Sequence, residues 1–186
     1  TVNAGNNALG LNPPIPFTGE DGKLDRRRGG NSDYHNNESD VLVIEADYAL
    51  GEFTLSSITG WLDYAFFQDC DCDFTSALIF QAYGDEEFEQ FSQEFRLTSP
   101  GGEQFDYIVG AFYQSNELNF NDAIDVPKAS LLRLLNPAFS DIRTRRFAKQ
   151  ESDMWAIFGQ VTWNLSDSTR LIFGGRYTEE DKTADK

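Results

Sequence analysis

From Asp40 onward the chain alternates apolar and polar residues with a period of two, in six segments of ten residues or more. Successive side chains of a strand point to opposite faces, so such segments read as strands with one oily and one wet side. In "VLVIEADYAL" (41–50) Leu42, Ile44, Ala46, Tyr48 and Leu50 share a face against Val41, Val43, Glu45 and Asp47. "FTLSSITGWLDYA" (53–65) separates its faces less cleanly, and a bulge near Ser56-Ser57 or Gly60 is expected. "FEQFSQEFRLT" (88–98) sets Phe91, Phe95 and Leu97 against Ser92, Glu94 and Arg96. "FDYIVGAFYQ" (105–114), "MWAIFGQVTWN" (154–164) and "RLIFGGRYTE" (170–179) continue the pattern.

Length and spacing narrow the class. Strands of soluble proteins cluster at about 5–6 residues, whereas strands that cross a bilayer need roughly 9–11. The connections alternate too. Gly51-Glu52, "SPGGEQ" (99–104) and "NLSDST" (164–169) are short and rich in turn residues, while 66–87 and 115–153 are long and polar. Short turns on one rim and long loops on the other are the pattern of an outer-membrane barrel. The expected fold is all-β: an antiparallel up-and-down meander of about six long strands, part of a larger transmembrane β-barrel. Only "ASLLRLLNPAF" (129–139) reads as helical, inside the second long loop.

The physical reason is the solvent. In hydrocarbon every backbone N–H and C=O must pair with a neighbouring strand, so the outer face must be apolar and the sheet closed. The inner face can carry charge, which nominates Glu45, Asp47, Glu94, Arg96 and Arg176 as lumen-facing. Glu94 and Arg96, two apart, would share that face. Aromatic rings gather where hydrocarbon meets water. Tyr48, Phe53, Phe105, Tyr107 and Trp163 would mark the short-turn rim. Trp61, Tyr64, Phe91, Tyr113, Trp155 and Tyr177 would mark the long-loop side. The same alternation also suits a soluble β-sandwich, which remains the alternative on pattern alone.

Composition removes other classes. A formal charge of −16 and a pI near 4.3 argue against a nucleic-acid partner. No apolar run is long enough for a membrane-spanning helix. Residues 1–39, rich in Gly, Asn and Pro, read as an irregular lead-in to a barrel domain over 40–186. That lead-in has neither the basic start nor the apolar core of a signal peptide, and the chain reads as a piece of something longer.

Chemistry-bearing constellations are few. Cys70 and Cys72 have only His35 as a further soft donor, which gives no zinc set, and they read as a loop pair, free or bridged. "DCDCDFTSALIF" (69–80) has Phe74 and Phe80 where a calcium loop needs Gly and Glu. No nucleophile elbow or phosphate loop is present, so neither an enzyme nor a cofactor is expected. Between Gly29 and Phe95 there is no Lys or Arg, while acids recur, and Asp69, Asp71 and Asp73 are candidates for attracting a cationic ligand. "RTRRFAK" (143–149) offers Arg143, Arg145 and Arg146 for an anionic ligand or a lipid phosphate. For both runs the plainer reading is a solvated loop.

Three stretches resemble the barrel strands of TonB-dependent outer-membrane receptors: "GEFTLSSITGWLDYAF", "QFSQEFRLTSPGGEQFDYIVGAFY" and "DMWAIFGQVTWNLSDSTRLIFGGRYTEEDK". The middle one is the most specific, through Arg96, Ser99-Pro100-Gly101 and Gly110, and the resemblance covers roughly 40–183. It implies a twenty-two-strand barrel with an N-terminal plug, seated in outer-membrane lipid. An energy-transducing TonB complex would act on the plug through a TonB box to admit a scarce nutrient, a ferric siderophore being the first choice. No plug or TonB box is recognisable before residue 40, so an internal barrel fragment is expected. A passive porin or adhesin barrel is the alternative that needs neither.

Overall fold

The computed structural model describes residues 34–72, 79–139 and 141–186. Six strands follow one another: β1 (Tyr34–Leu50), β2 (Phe53–Cys70), β3 (Gln81–Thr98), β4 (Phe105–Val126), β5 (Ile142–Ser166) and β6 (Thr169–Asp185). They form one sheet in the order β1-β2-β3-β4-β5-β6, each strand antiparallel to the next. This is the expected meander.

The strands end at the short turns where the alternation ends, and at the other rim they run on. The expected starts and stops at 41, 65, 88, 114 and 154 move to 34, 70, 81, 126 and 142, so the two long connections shrink to 71–80 and 127–141. Residues 34–39 of the expected lead-in are therefore strand. The physical reason is that period two marks a difference between two solvents. Where both faces meet water the pattern fades, while the backbone ladder continues.

Two further expectations are corrected. The bulge expected at Ser56-Ser57 or Gly60 is absent, because β2 keeps unbroken register with β1 and β3. The irregularity lies instead between Asn164 and Ser166, against β6. The expected helix over 129–139 is a four-residue 3-10 turn, Leu131–Leu134. Pro137, which lacks an N–H and biases Asn136 away from helical backbone, lies three residues beyond its end.

Local chemistry builds the short rim. Leu50 pairs Phe53 across Gly51-Glu52, with Gly51 at φ +66°, the left-handed backbone a two-residue hairpin requires. Pro100 ends β3 because it has no N–H to give. Ser99 closes the ladder in its place: its N–H donates to the Tyr107 carbonyl at 2.9 Å, and its Oγ accepts from the Tyr107 N–H at 2.8 Å. Asn164 ties this turn to β5, donating from Nδ2 to the Glu103 carbonyl at 2.7 Å and to Asp106 at 2.8 Å.

The sheet is a single layer. Among the described residues only Ala123 and Ala156 are buried apolar side chains. Among the described residues no second layer covers the oily face, so they do not pack as the sandwich that the alternation alone would have allowed.

Candidate functional site

Pairing register assigns every strand residue to one of two faces, and exposure tells the faces apart. Along β5, Trp155 and Ile157 are exposed while Ser152 and Ala156 are almost fully buried. Along β2, Trp61 is exposed and Ser56 buried. The sheet therefore curls around the face of Ser56, Ser152 and Ala156, which is the concave side.

The convex face carries the apolar band. Leu42, Phe95, Val109, Ile157 and Phe173 all lie on it, between 46% and 61% exposed. Ring pairs mark both margins. Phe105 stacks on Trp163 with centroids 5.7 Å apart, and Phe53 meets Tyr107 at 6.2 Å at the short-turn rim. Trp61 meets Phe91 at 5.6 Å, and Trp155 meets Tyr177 at 5.6 Å, toward the long-loop side. Tyr64, expected in that second belt, instead pairs Ser39 and Phe88 on the concave face. Even residues of β2 lie on the concave face, away from the apolar band.

One polar group interrupts the band. Gln93 satisfies itself there: its Oε1 accepts from the Thr59 hydroxyl at 2.7 Å, and its Nε2 donates to Ser57 Oγ at 3.1 Å and to the Ile58 carbonyl at 3.2 Å. A side-chain amide facing hydrocarbon needs such partners.

Just beyond the second aromatic belt, register lines up five carboxylates across five strands: Asp40, Asp63, Glu89, Glu117 and Glu151. Like charges placed directly opposite repel. Lys149 relieves one end of the row, its Nζ 3.1 Å from Glu117 and 2.8 Å from Glu151. The hydrogen bond from Asn119 and the Lys149 ammonium hold Glu117 below the usual carboxylate range. Glu151 and Glu117 raise Lys149 in turn.

On the concave face, register brings residues far apart in sequence onto common rows. One row reads Asp47, Ser56, Arg96, Gly110, Phe158, Arg176. The next holds Glu45, Ile58, Glu94 and Phe112. Asp47 accepts from the Ser56 hydroxyl at 2.5 Å, and Arg96 pairs with Glu94. The Arg176 guanidinium sits 5.4 Å from the Phe112 ring centre and 5.9 Å from that of Phe158, while its Nε donates to Thr178 at 3.0 Å. Arg96 and Arg176 line one cleft of about 490 Å³ with Phe158 and Gln160. The arrangement presents guanidinium groups braced by aromatic rings and carboxylates, a chemistry that accepts anionic, planar ligand groups.

The loop candidates divide. Asp69 accepts from Gln81 Nε2 at 2.6 Å, Asp71 is 2% exposed, and Asp73 lies outside the described residues. Among the described residues, Asp69 and Asp71 do not form an open acidic lure: Asp69 is engaged and Asp71 is buried. Cys70 and Cys72 are joined as a disulfide. No group of His, Cys, Asp and Glu able to hold a metal occurs among the described residues. The basic run is strand rather than loop, so parity splits it. Arg146 lies on the concave face and chelates Asp122, its Nε 2.9 Å and 3.0 Å from the two carboxylate oxygens, and Asp122 raises its pKa. Arg143 and Arg145 face outward, Arg143 lying 5.2 Å above the Tyr83 ring.

Sequence reasoning missed Ser130. It is fully buried, donates to the Ile79 carbonyl at 2.5 Å and accepts from the Leu132 N–H at 3.1 Å. One hydroxyl thus caps the 3-10 turn and fastens the two long connections together. No local signal reveals a partner 51 residues away.

Fold and faces together define the class: a segment of the wall of a membrane-type β-barrel, lipid-compatible outside and polar inside. The chain belongs to the TonB dependent receptor-like β-barrel family, whose model matches residues 1–186. Among solved structures it is similar to the ferric yersiniabactin uptake receptor FyuA from Yersinia pestis, at 15% identity and a TM-score of 0.62, over 82% of this chain and 25% of that one. The siderophore receptor PiuA from Acinetobacter baumannii matches at 9% identity and a TM-score of 0.48, over 82% of this chain and 30% of that one. The chain thus spans well under half the length of either receptor. Family and neighbours are transport receptors, not enzymes.

Proposed function

We propose that this chain forms part of the wall of an outer-membrane receptor that takes up a ferric siderophore, driven by the TonB complex. The observation that carries this reading is the division of labour between the faces. An apolar, aromatic-bordered convex face suits lipid, and a concave face rowed with Asp47, Arg96 and Arg176 suits a polar passage. Family membership supports energy-coupled transport, and FyuA makes an iron chelate the first cargo to try. Arg96 and Arg176 with Phe112 and Phe158 would meet a carboxylate- or phenolate-bearing chelate on its way past the wall, or a plug resting against it. Cargo would enter from the side of the long connections that Ser130 fastens.

Deleting the full-length gene and supplying single iron sources tests this. Growth on at least one ferric siderophore should fail and return on complementation, and only in cells with a working TonB system. Unimpaired growth on every iron chelate, or uptake that persists without TonB, would overturn the siderophore reading or the active one, respectively.

A further inference from the structure

Above the acidic row, the convex face carries a cleft on the side away from Arg96 and Arg176. Register places Phe67, Asp85, Asn121 and Phe147 in one row, and Asp69, Tyr83, Ala123 and Arg145 in the next. All of these but Asp69 line a cleft of about 360 Å³, completed by Arg143 over the Tyr83 ring. Phe147 is 60% exposed and Phe67 41%. Arg145 and Asp85 make no ion pair among the described residues, so planar hydrogen-bonding groups of both signs remain open to a ligand.

Height and chemistry select the occupant. Trp155 sits in the second aromatic belt and Phe147 eight residues further along the same strand. At about 3.3 Å per residue and a strand tilt near 40°, the cleft lies roughly 20 Å above that belt. Acyl chains end well below this level, and the headgroup layer next to them adds only about 5–8 Å. What remains at this height around an outer-membrane barrel is the sugar of the glycolipid headgroup. Exposed aromatic faces cover the apolar C–H face of a pyranose ring, and paired carboxylate, amide and guanidinium groups grip neighbouring hydroxyls. A purely anionic ligand would ask for guanidinium without Asp69, Asp85 and Asp125 beside it.

We infer that this cleft binds a headgroup sugar of the surrounding outer-leaflet glycolipid. The inference rests on the outer-membrane reading above. The site would anchor the wall to its lipid annulus below the long connections.

The test uses the full-length receptor, purified in mild detergent, with three probes: the complete glycolipid, the glycolipid cut back to its acylated disaccharide, and the oligosaccharide cleaved from its lipid. The complete glycolipid should bind roughly tenfold more tightly than the truncated one, the scale of one lost hydrogen bond to a charged group. The exposed pair Arg145→Ala and Phe147→Ser should remove that difference. Equal affinity for complete and truncated glycolipid, or an unchanged difference in the double variant, overturns the inference. So does a cleaved oligosaccharide that binds while the intact glycolipid does not. Membrane fractionation of the same cells keeps the two readings apart. A receptor missing from the outer membrane sinks the membrane reading, whereas one present there with no sugar preference sinks only this site.

Discussion

Phe158 lies flat over Gly110, its partner across the β4–β5 ladder: a β-carbon built on Gly110 would come within 2.3 Å of the ring. The glycine is thus a socket for an aromatic side chain, and that ring in turn braces Arg176. Gly110→Ala should push the ring aside and cost about 1–3 kcal/mol, as overpacking does. Urea unfolding of the full-length receptor in lipid measures it. Phe158→Leu should make the same alanine nearly harmless, and full additivity of the two changes would refute the socket.

Phe95 and Ile157 share one outer row, in the middle of the apolar band. Either residue changed to Arg should cost about 2–4 kcal/mol, the toll of a cation near the bilayer midplane. Thr162→Arg, on the concave face beside Asp106, should stay within about 0.5 kcal/mol of the parent. Equal costs on both faces would mean that the convex face does not meet lipid.

Gln93 is the hub of the polar patch within that band. Gln93→Ala strands the Thr59 and Ser57 hydroxyls and should destabilise by about 1 kcal/mol. Gln93→Leu combined with Thr59→Val and Ser57→Ala should recover most of it, because no polar group is then left without a partner. The readout is again unfolding in lipid vesicles, and a triple variant weaker than the alanine variant would count against a purely internal role.

Lys149 sets a pH window for the row of carboxylates. Its own pKa is raised, so its contribution is complete below the unfolded lysine value and fades as pH rises through the folded one. Glu117 is lowered, so its share is present above the unfolded carboxylate value and fades as pH falls through the folded one. Lys149→Met should therefore lower the thermal midpoint slightly across neutral pH, and more at low salt. The difference should vanish in strong acid and in strong base. A constant difference at all pH values would show that the methylene stem matters rather than the charge.

Much of the wall is legible in the order of residues alone. Leu42, Phe95, Val109, Ile157 and Phe173 declared the lipid side because hydrocarbon and water demand opposite residues on alternate positions. Gly51 and the Ser99-Pro100 pair marked turns through backbone chemistry that acts within a few residues. Family motifs fell in the same strands. Where both faces are wet, the code goes silent. The polar extensions of the strands read as loop, and with them Arg143, Arg145 and Arg146 read as one cluster.

Placement across the sheet lay beyond the linear order of residues. Asp47, Arg96 and Arg176 come into one row, and five acids into another, through pairing register set by turns and propagated strand by strand. Arg146 turned inward to Asp122 while Arg143 and Arg145 turned to the outside, a matter of parity once the backbone is known to be strand. Ser130 found Ile79 across two separate hairpins. Alternation is a property of one strand in its solvent, so it is written locally. A row, a clasp or a cleft depends on which strands lie side by side, and that alignment exists only after folding.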